Sequence, residues 1–346
     1  MSHSETQDTD IPVIDISSPS PEVSKQVLDA ASSHGFLFIK NDGITIPAKD
    51  ISDMFELSRN FFHQTPQHKK EYAIHSDKAG GINRGWVSMQ GESLDPEGQK
   101  LGDPKEAFNI GPPIPKLQPL PSTLSESADL ISRFQTQCHA LCTSILTLLG
   151  TALQVPDEHY FSTRHDQTRG PSGTIFRMLY YPKSDTSIDA SSIRAGAHSD
   201  YGSVTLLFRL PGQPGLELLQ PDGSWIPVPV NPSPSTLTDP PILVNIGDLL
   251  SFWTNGMLKS TVHRVTFSGG QERYSMAYFC HPLDDALLEA VPSPVIQSFG
   301  VQGAKELESQ RKRLGLRCGD GAENAKEEVL TAKQHLDRRL KVTYGL

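Results

Sequence analysis

Between Gly173 and Pro282 the chain breaks into about seven short apolar runs, with Gly, Pro, Asn or Asp in the gaps. Thr174 to Tyr181, His198 to Phe208, Leu216 to Leu219, Ile242 to Asn245, Leu249 to Trp253, Thr261 to Phe267 and Tyr274 to Cys280 all read as strands. Many short strands separated by turn residues predict a β-sandwich or barrel, and everything else in the chain must pack around it.

The flanking segments read as helices and edge strands. Ile11 to Ile16 predicts a short strand, and Pro21 to Ser33 a helix with Gly35 just beyond its end. A buried strand at Phe36 to Ile39 and a second helix at about Ile51 to Phe62 follow. Gly80 to Gly111 reads as a long irregular loop. Because it carries Trp86, Met89 and Phe108, it is expected to be a pocket wall or lid rather than a linker. From Ser125 to Leu149 apolar residues recur at intervals of three and four and Gly150 breaks the pattern, which predicts a spine helix against the sheet. The segment from about Ala322 to Tyr344 returns to helix.

Composition narrows the function. The 346 residues carry a net charge of −9, with no basic cluster to offset it, so nucleic acid and anionic membranes are not expected partners. No apolar run approaches the ~18 residues of a membrane span, and the polar, acidic first twelve residues lack the features of a secretory signal; a cytoplasmic protein, monomeric or weakly self-associating, is expected. The four cysteines do not form a metal or disulfide framework pattern. Cys138 and Cys142 fall on the apolar stripe of the spine helix, as small hydrophobes do.

The chemistry concentrates in the β region. His198-Ser199-Asp200 sets an imidazole and a carboxylate at i and i+2, a spacing that in a strand points both to one face. His263, in a later run, can complete a set of two His and one carboxylate, the arrangement that holds non-haem Fe(II) with positions left open. Arg273 and Ser275 share the same i, i+2 spacing, and a guanidinium beside a hydroxyl makes a directional receptor for a carboxylate.

At this point the sequence resembles the iron(II)- and 2-oxoglutarate-dependent oxygenases of the isopenicillin-N-synthase-like group, in particular fungal members. The resemblance rests on Ile11-Pro12-Val13-Ile14-Asp15, Gly35 to Asn41, Asp103 to Phe108, His198-Ser199-Asp200-Tyr201-Gly202-Ser203-Val204-Thr205-Leu206-Leu207 and Asn245-Ile246-Gly247-Asp248. It implies a mainly β fold with flanking helices, a double-stranded β-helix or jelly-roll barrel of cupin type. Residues 1–120 would form the N-terminal α/β region packing on the barrel. Residues 121–346 would form the dioxygenase domain with its spine and C-terminal helices. His198, Asp200 and His263 are implied as the Fe(II) ligands and catalytic centre, and Arg273 with Ser275 as the anchor for the distal carboxylate of 2-oxoglutarate. Tyr181 matches a tyrosine that touches the cosubstrate. Leu179 departs from the family, which usually has Asn there.

The implied reaction consumes O2 and 2-oxoglutarate and releases succinate and CO2. It oxidises a small organic molecule through a ferryl intermediate, by hydroxylation, desaturation or ring formation, in fungal secondary or catabolic metabolism, with ascorbate as an auxiliary reductant. Substrate contacts are expected from Asn83, Arg84, Trp86, Phe108, Arg177, Tyr201, Leu210, Phe252 and Phe279. Arg177 would bind an anionic or carbonyl group. Three alternatives stay open on the residues alone: a same-fold Fe(II) oxidase that does not use 2-oxoglutarate, a non-catalytic small-molecule binder, and a zinc hydrolase with the same ligands.

Overall fold

Alternate side chains of a strand leave on opposite faces, and in the computed structural model that rule builds two sheets around a cavity. Residues 10–41, 43, 45–95, 101–183, 193–267, 270–313 and 329–344 are described. The strands are β1 (Val13–Ile14), β2 (Phe36–Ile39), β3 (Gly85–Val87), β4 (Glu106–Ile110), β5 (Ile175–Tyr181), β6 (Ile193–His198), β7 (Val204–Arg209), β8 (Leu216–Leu219), β9 (Trp225–Pro227), β10 (Ile242–Ile246), β11 (His263–Thr266) and β12 (Arg273–Cys280). An eight-stranded sheet runs β1-β2-β10-β7-β12-β5-β4-β3, and a four-stranded sheet runs β6-β11-β8-β9. The two sheets make the jelly-roll sandwich.

Strand β12 shows the division of labour. Tyr274, Met276, Tyr278 and Cys280 belong to the main apolar core, while Ser275, Ala277 and Phe279 line the cavity between the sheets. Beside it in the sheet, β5 sends Phe176, Met178 and Tyr180 into the core, and Ile175, Arg177, Leu179 and Tyr181 into the cavity. The core face is covered by the spine helix Ala128–Ala152, whose Phe134 lies 5.3 Å from Phe176 and 5.1 Å from Phe208 between ring centroids. Cys138 and Cys142 are fully buried on that helix. A smaller apolar cluster, including Phe36, Phe38, Leu216 and Leu243, fills the sandwich beside the cavity.

Several expectations need correction. The run His198 to Phe208 is not one strand: β6 ends at His198, residues 199–203 form a turn, and β7 begins at Val204. Leu249 to Trp253 is helical, within Asp248–Trp253, and its buried setting explains why an apolar run gives no helical period. The region from Gly80 to Gly111 contains β3 and β4, which extend the main sheet beyond β5. The spine helix continues through Gly150 to Ala152. The C-terminal helix spans Ala332–Tyr344; Val329 to Thr331, predicted as part of it, are not helical and Thr331 instead bridges to Leu287, while the predicted part before residue 329, and Cys318, lie outside the described residues. His165 and His335 are each 1% exposed.

The N-terminal region is woven into the barrel rather than set beside it. Strand β2 pairs antiparallel with β10 and parallel with β1, while β3 and β4 close the opposite edge. Gly35 adopts φ +69 and its α-carbon sits so close to the Lys259 carbonyl that a β-carbon would lie 2.2 Å from the oxygen. Among the described residues no helix is long and apolar enough to cross a membrane.

Candidate active site

His198 is the last residue of β6 and His263 the first of β11, and these two antiparallel strands pair in register at that point. Asp200 joins them from the turn after β6, so strand ends and a turn, not strand alternation, produce the convergence. The Asp200 Oδ1 atom lies 3.8 Å from His198 Nε2 and 3.7 Å from His263 Nε2. One ligand atom from each of the three residues falls within 4.8 Å of the others, and this is the one such group of His, Cys, Asp and Glu among the described residues.

Neighbouring groups aim the three side chains. His198 Nδ1 lies 2.7 Å from the Gly196 carbonyl and His263 Nδ1 3.1 Å from that of Thr261; as N–H donors, both leave Nε2 with its lone pair facing the centre. Asp200 Oδ2 accepts from Thr205 Oγ1 and Asn245 Nδ2, both at 2.6 Å, which leaves Oδ1 facing the imidazoles. Burial, reinforced by the charge that His263 can carry, pushes the His198 pKa down to about 4. Burial would raise the Asp200 pKa, but the two imidazoles pull it below the usual range. Two imidazoles presenting Nε2 and one carboxylate oxygen are the donor set a divalent cation requires.

Two touching turns hold this geometry. Gly247 has extended backbone, yet a β-carbon on it would lie 2.1 Å from the Gly202 carbonyl oxygen, so the turn after β10 packs directly on the turn carrying Asp200. Asp248 then ties the parts together. Its backbone N–H donates to the Asp200 carbonyl at 2.8 Å, and its carboxylate accepts from Ser199 Oγ at 3.2 Å and Ser260 Oγ at 2.7 Å. Arg339 of the C-terminal helix reaches the same carboxylate at 3.6 Å.

The cavity beside the triad encloses about 960 Å³, counting its mouth. At one end stand Tyr181 and Ser275, backed by Arg273, which is paired in register with Tyr181. Arg273 is 3% exposed; its Nε donates to the Pro214 carbonyl at 3.0 Å, Nη1 lies 3.4 Å from Ser275 Oγ, and the guanidinium carbon is 5.1 Å from the Tyr181 ring centroid. No carboxylate among the described residues pairs with it. Arg209 on β7, whose register partner is Ser275, is a second buried cation and bonds to the Val228 and Pro229 carbonyls. Burial and the nearby Arg273 charge bring the Arg209 pKa down to about 9. This end is electropositive and lacks an anion among the described residues, which suits a dicarboxylate such as 2-oxoglutarate.

Family models match most of the chain: the non-haem dioxygenase N-terminal model over residues 11–130 and the 2OG-Fe(II) oxygenase superfamily model over residues 172–282. A proline hydroxylase of Petromyces alliaceus is 32% identical over 74% of this chain and 80% of its own length. This chain is a member of the 2OG-Fe(II) oxygenase superfamily. A UPF0676 protein of Schizosaccharomyces pombe is 33% identical over 97% of the oxygenase and 93% of its own length. Among solved structures, a full-length Neurospora crassa protein in complex with alpha-KG superimposes with a TM-score of 0.72 at 28% identity, covering 95% of each chain, and a further structure of that protein holds alpha-KG and thymine. The oxygenase is thus an Fe(II)- and 2-oxoglutarate-dependent enzyme with His198, Asp200 and His263 as its metal-binding triad.

Of the substrate candidates, Asn83, Arg177, Tyr201 and Phe279 line the cavity. The others do not. Phe108 is fully buried in the core, 4.8 Å from Phe61, because its position on β4 faces away. Trp86 pairs with Phe108 across β3 and β4 and donates its indole N–H to Glu106 at 2.7 Å. Arg84 donates to the Asn83 carbonyl at 3.2 Å, and Leu210 and Phe252 pack against the core. Arg177 is not free to meet an anion: its Nη2 donates to both oxygens of Glu92, at 2.7 and 2.6 Å. Glu92, Asp103, Lys105, Thr205, Asn245, Asp248 and Tyr344 escape sequence reasoning. For Asp103, Lys105, Thr205, Asn245 and Asp248 the motifs quoted above contain the signal, but not what each side chain touches.

Proposed function

We propose that the oxygenase oxidises a small, free organic molecule rather than a residue of a macromolecule, with Fe(II) on His198, Asp200 and His263 and the distal carboxylate of 2-oxoglutarate on Arg273, Ser275 and Tyr181. The observation that carries the anchor assignment is the buried guanidinium of Arg273, without a carboxylate partner among the described residues, set behind Ser275 and Tyr181, which line the cavity holding the triad. Fe(II) with 2-oxoglutarate supplies the electrons for O2 reduction, with release of succinate and CO2.

The chain's own residues do the rest. Thr205 and Asn245 keep one Asp200 oxygen occupied so that the other is presented, and the Gly196 and Thr261 carbonyls hold the imidazoles in one tautomer. Arg273 and Arg209 favour the dianion at one end. Asn83, Arg177, Tyr201 and Phe279 line the part of the cavity assigned to the substrate, where Leu336 and Leu340 of the C-terminal helix restrict water. A small cavity inside a jelly roll, in a chain of net charge −9, supports a cytoplasmic enzyme of secondary or catabolic metabolism acting alone or as a weak homo-oligomer.

The test is an anaerobic titration of the metal-free protein with Fe(II) and then 2-oxoglutarate, followed by visible absorption. A charge-transfer band requiring both additions is expected. Arg273→Ala should weaken apparent 2-oxoglutarate affinity by roughly 10- to 100-fold, the worth of a charge-assisted hydrogen-bonded pair, with Fe(II) affinity little changed. Equal loss of both would remove Arg273 from the anchor role, and tight Fe(II) binding without a band would favour the oxidase that takes its electrons from elsewhere.

A further inference from the structure

The cavity carries a second charged set on its wall. Arg177 and Lys105 line it, and both are nearly inaccessible, at 8% and 2% exposed. Neither carries an uncompensated charge. Glu92, itself 4% exposed, takes Arg177 on both oxygens and Lys105 Nζ at 2.9 Å, and Lys105 also meets Asp103 at 2.6 Å. Two cations and two anions cancel, whereas Arg273 and Arg209 have no anion among the described residues. A charged group arriving beside the balanced set would be buried without a partner, at a cost that outweighs most small-molecule contacts.

One donor remains unused there. Arg177 Nε is buried with no hydrogen-bond partner, on a side chain that lines the cavity. Beside it, Asn83 has its Oδ1 occupied by Asn109 Nδ2 at 2.9 Å, so its amide N–H groups are what it can offer the cavity. Glu92 also accepts from the Tyr344 hydroxyl at 2.7 Å, which fixes the last turn of the C-terminal helix over the same set.

We propose that Glu92 is the specificity-determining residue of the cavity: by neutralising Arg177 and Lys105 it restricts the neighbouring part of the cavity to uncharged molecules that present an acceptor, such as a carbonyl, to the Asn83 amide. The proposal rests on the assignment of Arg273 to 2-oxoglutarate.

The experiment uses benzamide and benzoate, a neutral and an anionic probe of nearly equal shape. Each is titrated into the anaerobic Fe(II)·2-oxoglutarate complex, where the cosubstrate already occupies Arg273, following the charge-transfer band and, in parallel, the heat of binding. Wild type is expected to prefer benzamide by at least about tenfold. Glu92→Gln leaves one unbalanced cation and should gain benzoate affinity by at least about tenfold, and the electrically balanced double variant Glu92→Gln/Arg177→Gln should lose that gain. Benzoate bound by wild type as well as benzamide, or no benzoate gain in Glu92→Gln, including no binding in either protein, overturns the proposal. If Glu92→Gln does not fold, the wild-type preference decides alone. Failure of the band with Fe(II) and 2-oxoglutarate would instead count against the cosubstrate assignment, and the calorimetric arm still reads the two probes.

Discussion

Asp200 illustrates how much of a metal ligand's work is done by its neighbours. A carboxylate with two free oxygens can rotate and bind in several ways, and here two donors at 2.6 Å hold Oδ2 so that only Oδ1 faces the imidazoles. Asn245→Ala removes one of these donors without touching the metal. It should weaken Fe(II) affinity by roughly tenfold, read from an anaerobic metal titration, while the protein still folds. An unchanged affinity would mean that Thr205 alone fixes the carboxylate. The ligands themselves are legible as residue types at a recognisable spacing, but their convergence has a different origin from the one the spacing suggests. A single strand through His198 and Asp200 would align them, whereas Asp200 stands in a turn.

At the scale of elements, the active site is a meeting of loops held by backbone contact. The turn after β10 and the turn after β6 touch through Gly247 and Gly202, and the Gly247 N–H donates to the Ser203 carbonyl at 2.9 Å. Gly247→Ala would force a methyl group into a carbonyl, and neither backbone can yield without moving Asp200 or Asp248. A loss of about 3 kcal/mol or more in urea unfolding, together with impaired metal binding, is expected. A loss below about 0.5 kcal/mol would show that the turns can part. The same scale explains two misread elements. Asp248–Trp253 has only one of its six residues partly exposed, so no polar face marks it as a helix. Strands β3 and β4 are hidden by short length and the polar residues around them, and become strands by pairing onto β5.

For the whole molecule, the buried ionisable groups set an acid limit on stability. His281 is 4% exposed, and burial, with the neighbouring His335 charge, pushes its pKa from 6.5 to about 3. The unfolded chain takes up this proton near pH 6.5 and the native protein refuses it until about pH 3, so the stability contribution is complete above the former value and falls as pH drops toward the latter. Glu92 adds in the same direction: burial opposes its ionisation, but Arg177 and Lys105 hold it ionised well below the usual range, and acid removes that benefit. The melting temperature of the metal-free protein should therefore fall between pH 6.5 and about pH 4, and His281→Asn should flatten that fall. An identical pH slope in the variant would assign the acid sensitivity elsewhere.

The sequence by itself determined the barrel, the spine helix, the family and the identity of the metal-binding residues. Most of this is written in local spacing: a period of two for strands, three and four for the helix, and short motifs whose members are neighbours in the chain, with His263 joined to His198 and Asp200 by the family resemblance. Only the tertiary structure decided that Trp86, Phe108 and Phe252 serve packing rather than the cavity, and that Arg177 is already matched by an anion. Glu92, Asp103, Lys105, Arg177 and Tyr344 come from an ordered loop, the approach to β4, strand β5 and the end of the C-terminal helix. Electrostatic balance depends on distances between such remote segments, and a linear order of residues carries no distance beyond its nearest turns.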